Sequence, residues 1–186
     1  LEDDAQHLGA RLGRVIAAAM LGNLDSLGAL FDSIEVPPNA PIELQIAAGD
    51  AHRAVAADPE APVRRKTELA QARLHYTEAL RLLYAGAETG AIAGAGPRGR
   101  AELGMALSYL EVEGEDPAAA IDWIEAARVS RAGSVQLDLR LAQAEAKTGA
   151  EKSARIRARN VLSRTHDPML EKGARALLDV HDDAGR

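Results

Sequence analysis

Gly94, Gly96 and Gly99 stand in the spacing G-x-G-x-x-G, within the stretch GAIAGAGPRGRAELG at residues 90–104. In a dinucleotide-binding enzyme that spacing lets the backbone reach a pyrophosphate at a helix N-terminus. The chemistry requires a buried strand directly before the first glycine and a parallel sheet to receive it. Upstream, the run from Gly86 to Ala93 offers one β-branched apolar residue, Ile92, and two glycines. No later segment alternates as a strand does, and Pro97 removes a backbone N–H that would face phosphate. The stretch therefore reads as a loop between helices, over about residues 86–98. Nucleotide binding is the lesser alternative, and no cofactor is expected.

The other reactive side chains are scattered. His7, His52, His75, His166 and His181 form no i, i+4 pair and no H-E-x-x-H, the spacings that aim two imidazoles at one zinc ion. His181-Asp182-Asp183 reads as a solvated tail, so no metal site is expected. The chain has no cysteine, which excludes disulfides, thiolate metal sites and thiol nucleophiles. No Ser-His-Asp set or nucleophile elbow is visible, and no catalytic residue is assigned.

Lys152, Arg155 and Arg159 recur at three and four residues, which places three cations on one helical face. Such a face can grip an acidic partner segment or a phosphate; the plainer alternative is a solvated outer face. Glu111, Glu113, Glu115 and Asp116 cluster at a helix end and its turn, where capping and solvation account for most of them. Among the few aromatics, Tyr109 and Trp123 are candidate partner contacts, because aromatics are enriched at binding hot spots. Packing between neighbouring helical pairs is the competing role for Trp123.

These residues must be positioned by helices. Alanine is the commonest residue type, whereas Val, Ile and Thr are far fewer even when taken together, poor material for a sheet. The apolar positions predict helices over about 3–21, a short second one carrying Leu24, Leu27, Leu30, Phe31 and Ile34, then 42–57 and 62–85. Further helices are expected over about 99–112, from Asp116-Pro117, from Ser134, before and after Gly149, and over 168–181. Pro37-Pro38 separates an opening hairpin, residues 1–36, from an irregular pair over 40–85. The expected fold is all-α: one domain, 1–186, of eight to nine stacked helices.

An internal repeat organises the second half. Leu103, Leu107 and Leu110 correspond in order to Leu137, Leu141 and Ala144. Ala120, Ile124 and Ala127 correspond to Ala154, Ala158 and Val161 at the same offset. Over residues 99–167 the chain resembles the tetratricopeptide-repeat family, whose helix–turn–helix unit recurs with this period, about 34 residues. The likeness rests on Leu107-Ser108 and Leu141-Ala142, a large residue followed by a small one, and on the alanine–large–alanine pattern of Ala120, Ile124 and Ala127. Ala72-Arg73-Leu74-His75-Tyr76 through Leu80 looks like another second helix. Glu111, Glu145, Gly104 and Asp138 depart from the pattern, standing where the family usually places bulky residues. The resemblance implies an α-α superhelix of antiparallel hairpins, closed by a capping helix, that recruits a protein or peptide in its groove without catalysis.

Charge narrows the partners. A net charge of −6 argues against a general nucleic-acid binder. The longest apolar run, Val15 to Leu21, is seven residues, far short of the roughly 20 that span a bilayer. A chain beginning at Leu1 reads as processed or trimmed, which leaves cytoplasm favoured and periplasm open. The expected function is a non-enzymatic interaction or scaffold module. The alternative is a self-assembling subunit docking through Gly9, Gly13 and Ala17 of its first helix.

Overall fold

Proline and short polar side chains set where the helices begin. Asp116 Oδ1 accepts from the backbone N–H groups of Ala118 and Ala119, at 3.0 and 3.2 Å, with Pro117 as the first helical residue. Asp167 accepts from the N–H of Met169 at 2.8 Å ahead of Pro168, and Ser134 accepts from that of Leu137 at 3.4 Å. Gly133 and Gly149 adopt φ of 79° and 82°, the left-handed turn that ends one helix and redirects the chain into the next.

The computed structural model describes residues 2–21, 34–57, 62–88, 95–110, 116–130 and 133–179. Among them the regular elements are eight α-helices, with no strand. They are α1 (Glu2–Met20), α2 (Ile42–Ala56), α3 (Pro62–Glu88) and α4 (Ala95–Leu110). They continue as α5 (Pro117–Ser130), α6 (Val135–Lys147), α7 (Glu151–Arg164) and α8 (Pro168–Asp179). The short helix expected through Leu24 and Phe31 lies outside the described residues. The glycine-rich stretch differs from expectation: α3 runs on to Glu88, and α4 begins at Ala95.

Each helix packs on its chain neighbours, and α2 also meets α4, as α6 meets α8. The core is correspondingly a row of clusters that hand over from one pair to the next. Leu12 and Val15 of α1 meet Leu44, Ala48, Ala51 and Val55 of α2. Ile46 joins Tyr76, Leu80 and Leu83 of α3 and Met105 of α4. Leu107 and Leu110 join Ile124 of α5 and Leu137 and Leu141 of α6. Leu139 meets Ala158 and Val161 of α7 and Ala174 of α8.

The repeat is visible in the element bounds. Shifting Pro117–Ser130 by the offset that carries Ala120 onto Ala154 gives the bounds of α7, Glu151–Arg164. Ala120, Ile124 and Ala127 are buried, and so are their counterparts Ala154, Ala158 and Val161. In α8 the register slips: Leu170, Ala174 and Leu177 follow Leu137, Leu141 and Ala144 one position sooner than the repeat offset. Only Ala174 of these three is fully buried, as expected for a helix covered on one side.

Candidate functional site

The glycine motif opens a helix. Gly96, Pro97 and Gly99 lie in the first two turns of α4, whereas Gly94 lies outside the described residues. The loop expected over 86–98 is thus helical at 86–88 and 95–98. Pro97 is tolerated because a helix's first N–H groups have no intrahelical acceptor. Gly99 is itself buried in the packing of α4.

Of the five predicted contact residues, the structure keeps Lys152, Arg155 and Arg159 together on α7. Lys152 and Arg159 are exposed and Arg155 is half-buried; with Glu151 and Ile156 they bound a shallow depression on the outer side of that helix. The two other cations of α7 reach carboxylates of α6. Arg157 donates to Glu145 Oε1 at 2.9 Å and lies 3.9 Å from Glu125. Arg164 donates to Asp138 Oδ2 and to the carbonyl of Gly133, both at 2.7 Å. Arg128 of α5 completes a ladder, reaching Glu125 at 2.7 Å and Asp138 at 3.3 Å.

This ladder explains two departures from the repeat pattern. Asp138 and Glu145 are buried carboxylates on α6, and arginines from α5 and α7 fill the space a bulky apolar residue would otherwise take. Ser153 also donates to Glu145 Oε1 at 2.9 Å. Glu145 Oε2 is buried without a hydrogen-bond partner among the described residues. The acidic cluster at Glu111, Glu113 and Glu115 lies outside the described residues, as do His181, Asp182 and Asp183.

Tyr109 and Trp123 lie apart from the α7 face. Both are half-buried and both pack against the two middle core clusters, joining the α3–α4 pair to the α5–α6 pair. The guanidinium of Arg73 sits 4.0 Å over the Tyr109 ring. Arg73 also donates to Ser108, at 3.1 Å to Oγ and 2.8 Å to the carbonyl oxygen. Their surroundings fit the packing role weighed for Trp123.

A polar seam between α2 and α3 had no signal in the sequence spacing. Gln45, 1% exposed, donates through Nε2 to the carbonyls of Pro37 and Pro38, at 2.8 and 3.1 Å. Because those carbonyls only accept, the amide orientation is fixed and Gln45 Oε1 must accept from His75 Nδ1 at 2.7 Å. His75 therefore carries its proton on Nδ1. Its ring stacks on His52, with centroids 5.2 Å apart and planes inclined by 22°. His52 Nδ1 lies 2.8 Å from Glu68 Oε2, and Arg64 lies 3.3 Å from the other oxygen. Burial outweighs the charge and hydrogen bond of Glu68 and lowers the pKa of His52. Burial, and next the charge of His52, push His75 down to about 4.

Beside this seam stands Tyr76, fully buried, donating to Asp50 Oδ1 at 2.8 Å. Burial and next the charge of Asp50 raise its pKa well above the usual phenol value. Arg100 of α4 reaches Asp50 Oδ2 at 3.3 Å. A Cβ on Gly49 would lie 2.5 Å from the Tyr76 ring, and one on Gly104 would lie 2.4 Å from it. Gly104, the third departure from the repeat pattern, is small because the Tyr76 ring lies against it.

Among the described residues no group of three or more His, Cys, Asp or Glu side chains is placed to hold a metal ion. No described helix is long and apolar enough to cross a membrane. Comparison with known protein families, with curated proteins and with solved structures finds no match.

Proposed function

We propose that this helical array is a non-enzymatic interaction module, of tetratricopeptide-like build, that holds a protein or peptide segment. The observation that carries the reading is the shared register of α5 and α7, placed one repeat apart over adjoining core clusters. Stacked hairpins of this kind use their inner faces to bury one another, so recognition falls to the surfaces the stack leaves open. The ladder through Asp138 and Glu145 is consistent with this reading, because those carboxylates pair with arginines of the same array and not with a ligand.

Photocrosslinking residues placed singly at exposed positions of α3, α5, α6 and α7 in the full chain test this. One protein species, crosslinked in a competable manner from one face, is the expected result. No adduct at any position, together with saturable thermal stabilisation by NAD or ATP, would overturn it in favour of a nucleotide-dependent protein. Self-assembly through α1 is a second reading with a narrower basis. Gly13 faces open space and Ala17 is exposed, while Gly9 is already turned toward Leu44 of the same chain, 3.4 Å from an added Cβ. A strict monomer at high concentration would remove that second reading.

A further inference from the structure

The five cations of α7 face two ways. Arg157 and Arg164 reach the buried carboxylates Glu145 and Asp138 of α6. Lys152, Arg155 and Arg159 lie on the outward side at successive turns, about 10 Å from first to last at roughly 1.5 Å per residue. Between them Ile156 is 51% exposed, a large apolar side chain on an otherwise charged face. Two shallow depressions adjoin it, both also bounded by Glu151 and Lys152; one reaches Arg155 and Arg159, the other Gly149, Ala150 and Ser153. The buried side of α7, through Ala158 and Val161, is already occupied by Leu139 and Ala174.

We propose that this outer face docks an acidic amphipathic helix of a partner protein. Carboxylates of that helix two turns apart meet Lys152 and Arg159, and an apolar residue between them covers Ile156; Arg155, which already interacts within this chain, flanks the contact. The inference rests on the interaction-module reading and names the chemistry of the partner. Charge complementarity selects the occupant. The same face of a second copy would set cation against cation, and a free phosphate would leave Ile156 uncovered. A nucleic acid or anionic membrane would extend past this face onto the rest of a chain carrying −6, whereas one short helix meets only the cationic face.

The test is a fluorescence-anisotropy titration of the full chain with two labelled synthetic helices. One carries Glu at i, i+3 and i+7 around a leucine stripe; the other carries Lys at those positions. Saturable binding of the acidic helix alone is expected, weakening about tenfold between low and high salt because exposed pairs are screened. K152E/R159E should weaken the acidic helix by about tenfold or more and bind the Lys helix instead. I156D should weaken the acidic helix alone. Unchanged circular dichroism verifies that each variant is folded, since Ala154, Ala158 and Val161 are untouched.

No binding of the acidic helix, equal binding of both helices, or indifference to K152E/R159E would each overturn the proposal. So would binding of a phosphatidylserine vesicle or an RNA oligonucleotide through these residues in place of the acidic helix. If the acidic helix fails while photocrosslinks map a partner to another face, only the assignment of α7 falls and the interaction module stands.

Discussion

Where α2 meets α3, imidazole rings and an amide form a seam that runs out to a carboxylate; between α5 and α7 buried carboxylates meet guanidinium groups directly. At the first junction Gln45, His75 and His52 are joined by a hydrogen bond and a ring stack in a chain that ends on Glu68, and Tyr76 beside them donates to Asp50. At the second, Arg128, Arg157 and Arg164 bracket Asp138 and Glu145. Each junction closes a helix–helix seam that alanine alone is too small to fill. The difference lies in what disturbs them: steric fit and protonation for the first, loss of a charged partner for the second.

The largest effect is expected at Tyr76. Tyr76→Ala removes a fully buried ring from between Gly49 and Gly104 and should cost about 4 kcal/mol, measured by urea unfolding. Gly104→Ala approaches the same ring from the other side and should cost about 1–3 kcal/mol by overpacking. Tyr76→Leu, combined with Gly104→Ala, should recover part of that loss. If Gly104→Ala is neutral in the native background, the ring does not hold α2 and α4 in the way the geometry shows.

At the other junction Arg157→Met strands Glu145, whose Oε1 then keeps only Ser153 and whose Oε2 already lacks a partner. The expected cost is about 2–3 kcal/mol, below a fully buried pair because Arg157 is partly open to solvent. Glu145→Met together with Arg157→Met should restore most of the stability, since the penalty comes from the stranded carboxylate and not from loss of the pair. A double variant as unstable as the single one would show that the ladder itself carries the seam.

How much of this was legible before the structure follows from distance along the chain. Asp116-Pro117, Ser134 and Asp167-Pro168 act within three residues of themselves, so their capping roles can be read locally. The repeat correspondence survives because both helices of each pair keep the same apolar face. Tyr76 and Gly104 are a different case: each makes sense only beside the other, on separate helices. Asp138 and Glu145 look like defects until arginines on other helices come into view. His52 and His75 carry no metal spacing because their relation is a stack between two helices. Gly96 and Gly99 lower helix propensity, yet α4 runs back through both, Gly99 buried and Gly96 exposed.

Acid should separate the two junctions by a smaller margin than these substitutions. His52 and His75 are depressed in the folded chain, so the unfolded chain binds more protons and stability falls as pH falls. For His75 the contribution is fully present above the unfolded value of about 6.5 and is lost on going down to about 4. His75→Gln, which keeps an amide donor for Gln45, should flatten the dependence of Tm on pH across that window. The double variant Glu145→Met, Arg157→Met, which removes both members of their ion pair, should leave the slope in the same window unchanged. Equal slopes for the native chain and His75→Gln would show that the stacked pair does not govern acid sensitivity.

The smallest effects belong to the helix starts, and they rank by geometry. Asp116 accepts two backbone N–H groups at 3.0 and 3.2 Å, and its charge lies at the positive end of the α5 dipole. Ser134 accepts one, at 3.4 Å, and is uncharged. Asp116→Ala should therefore cost about 1 kcal/mol and Ser134→Ala about 0.5 kcal/mol. The dipole component makes the Asp116 penalty shrink with salt, while that of Ser134 stays constant. Denaturant midpoints for both variants at low and high salt decide this, and the reverse ranking would mean that the position of a start in the array outweighs the cap itself.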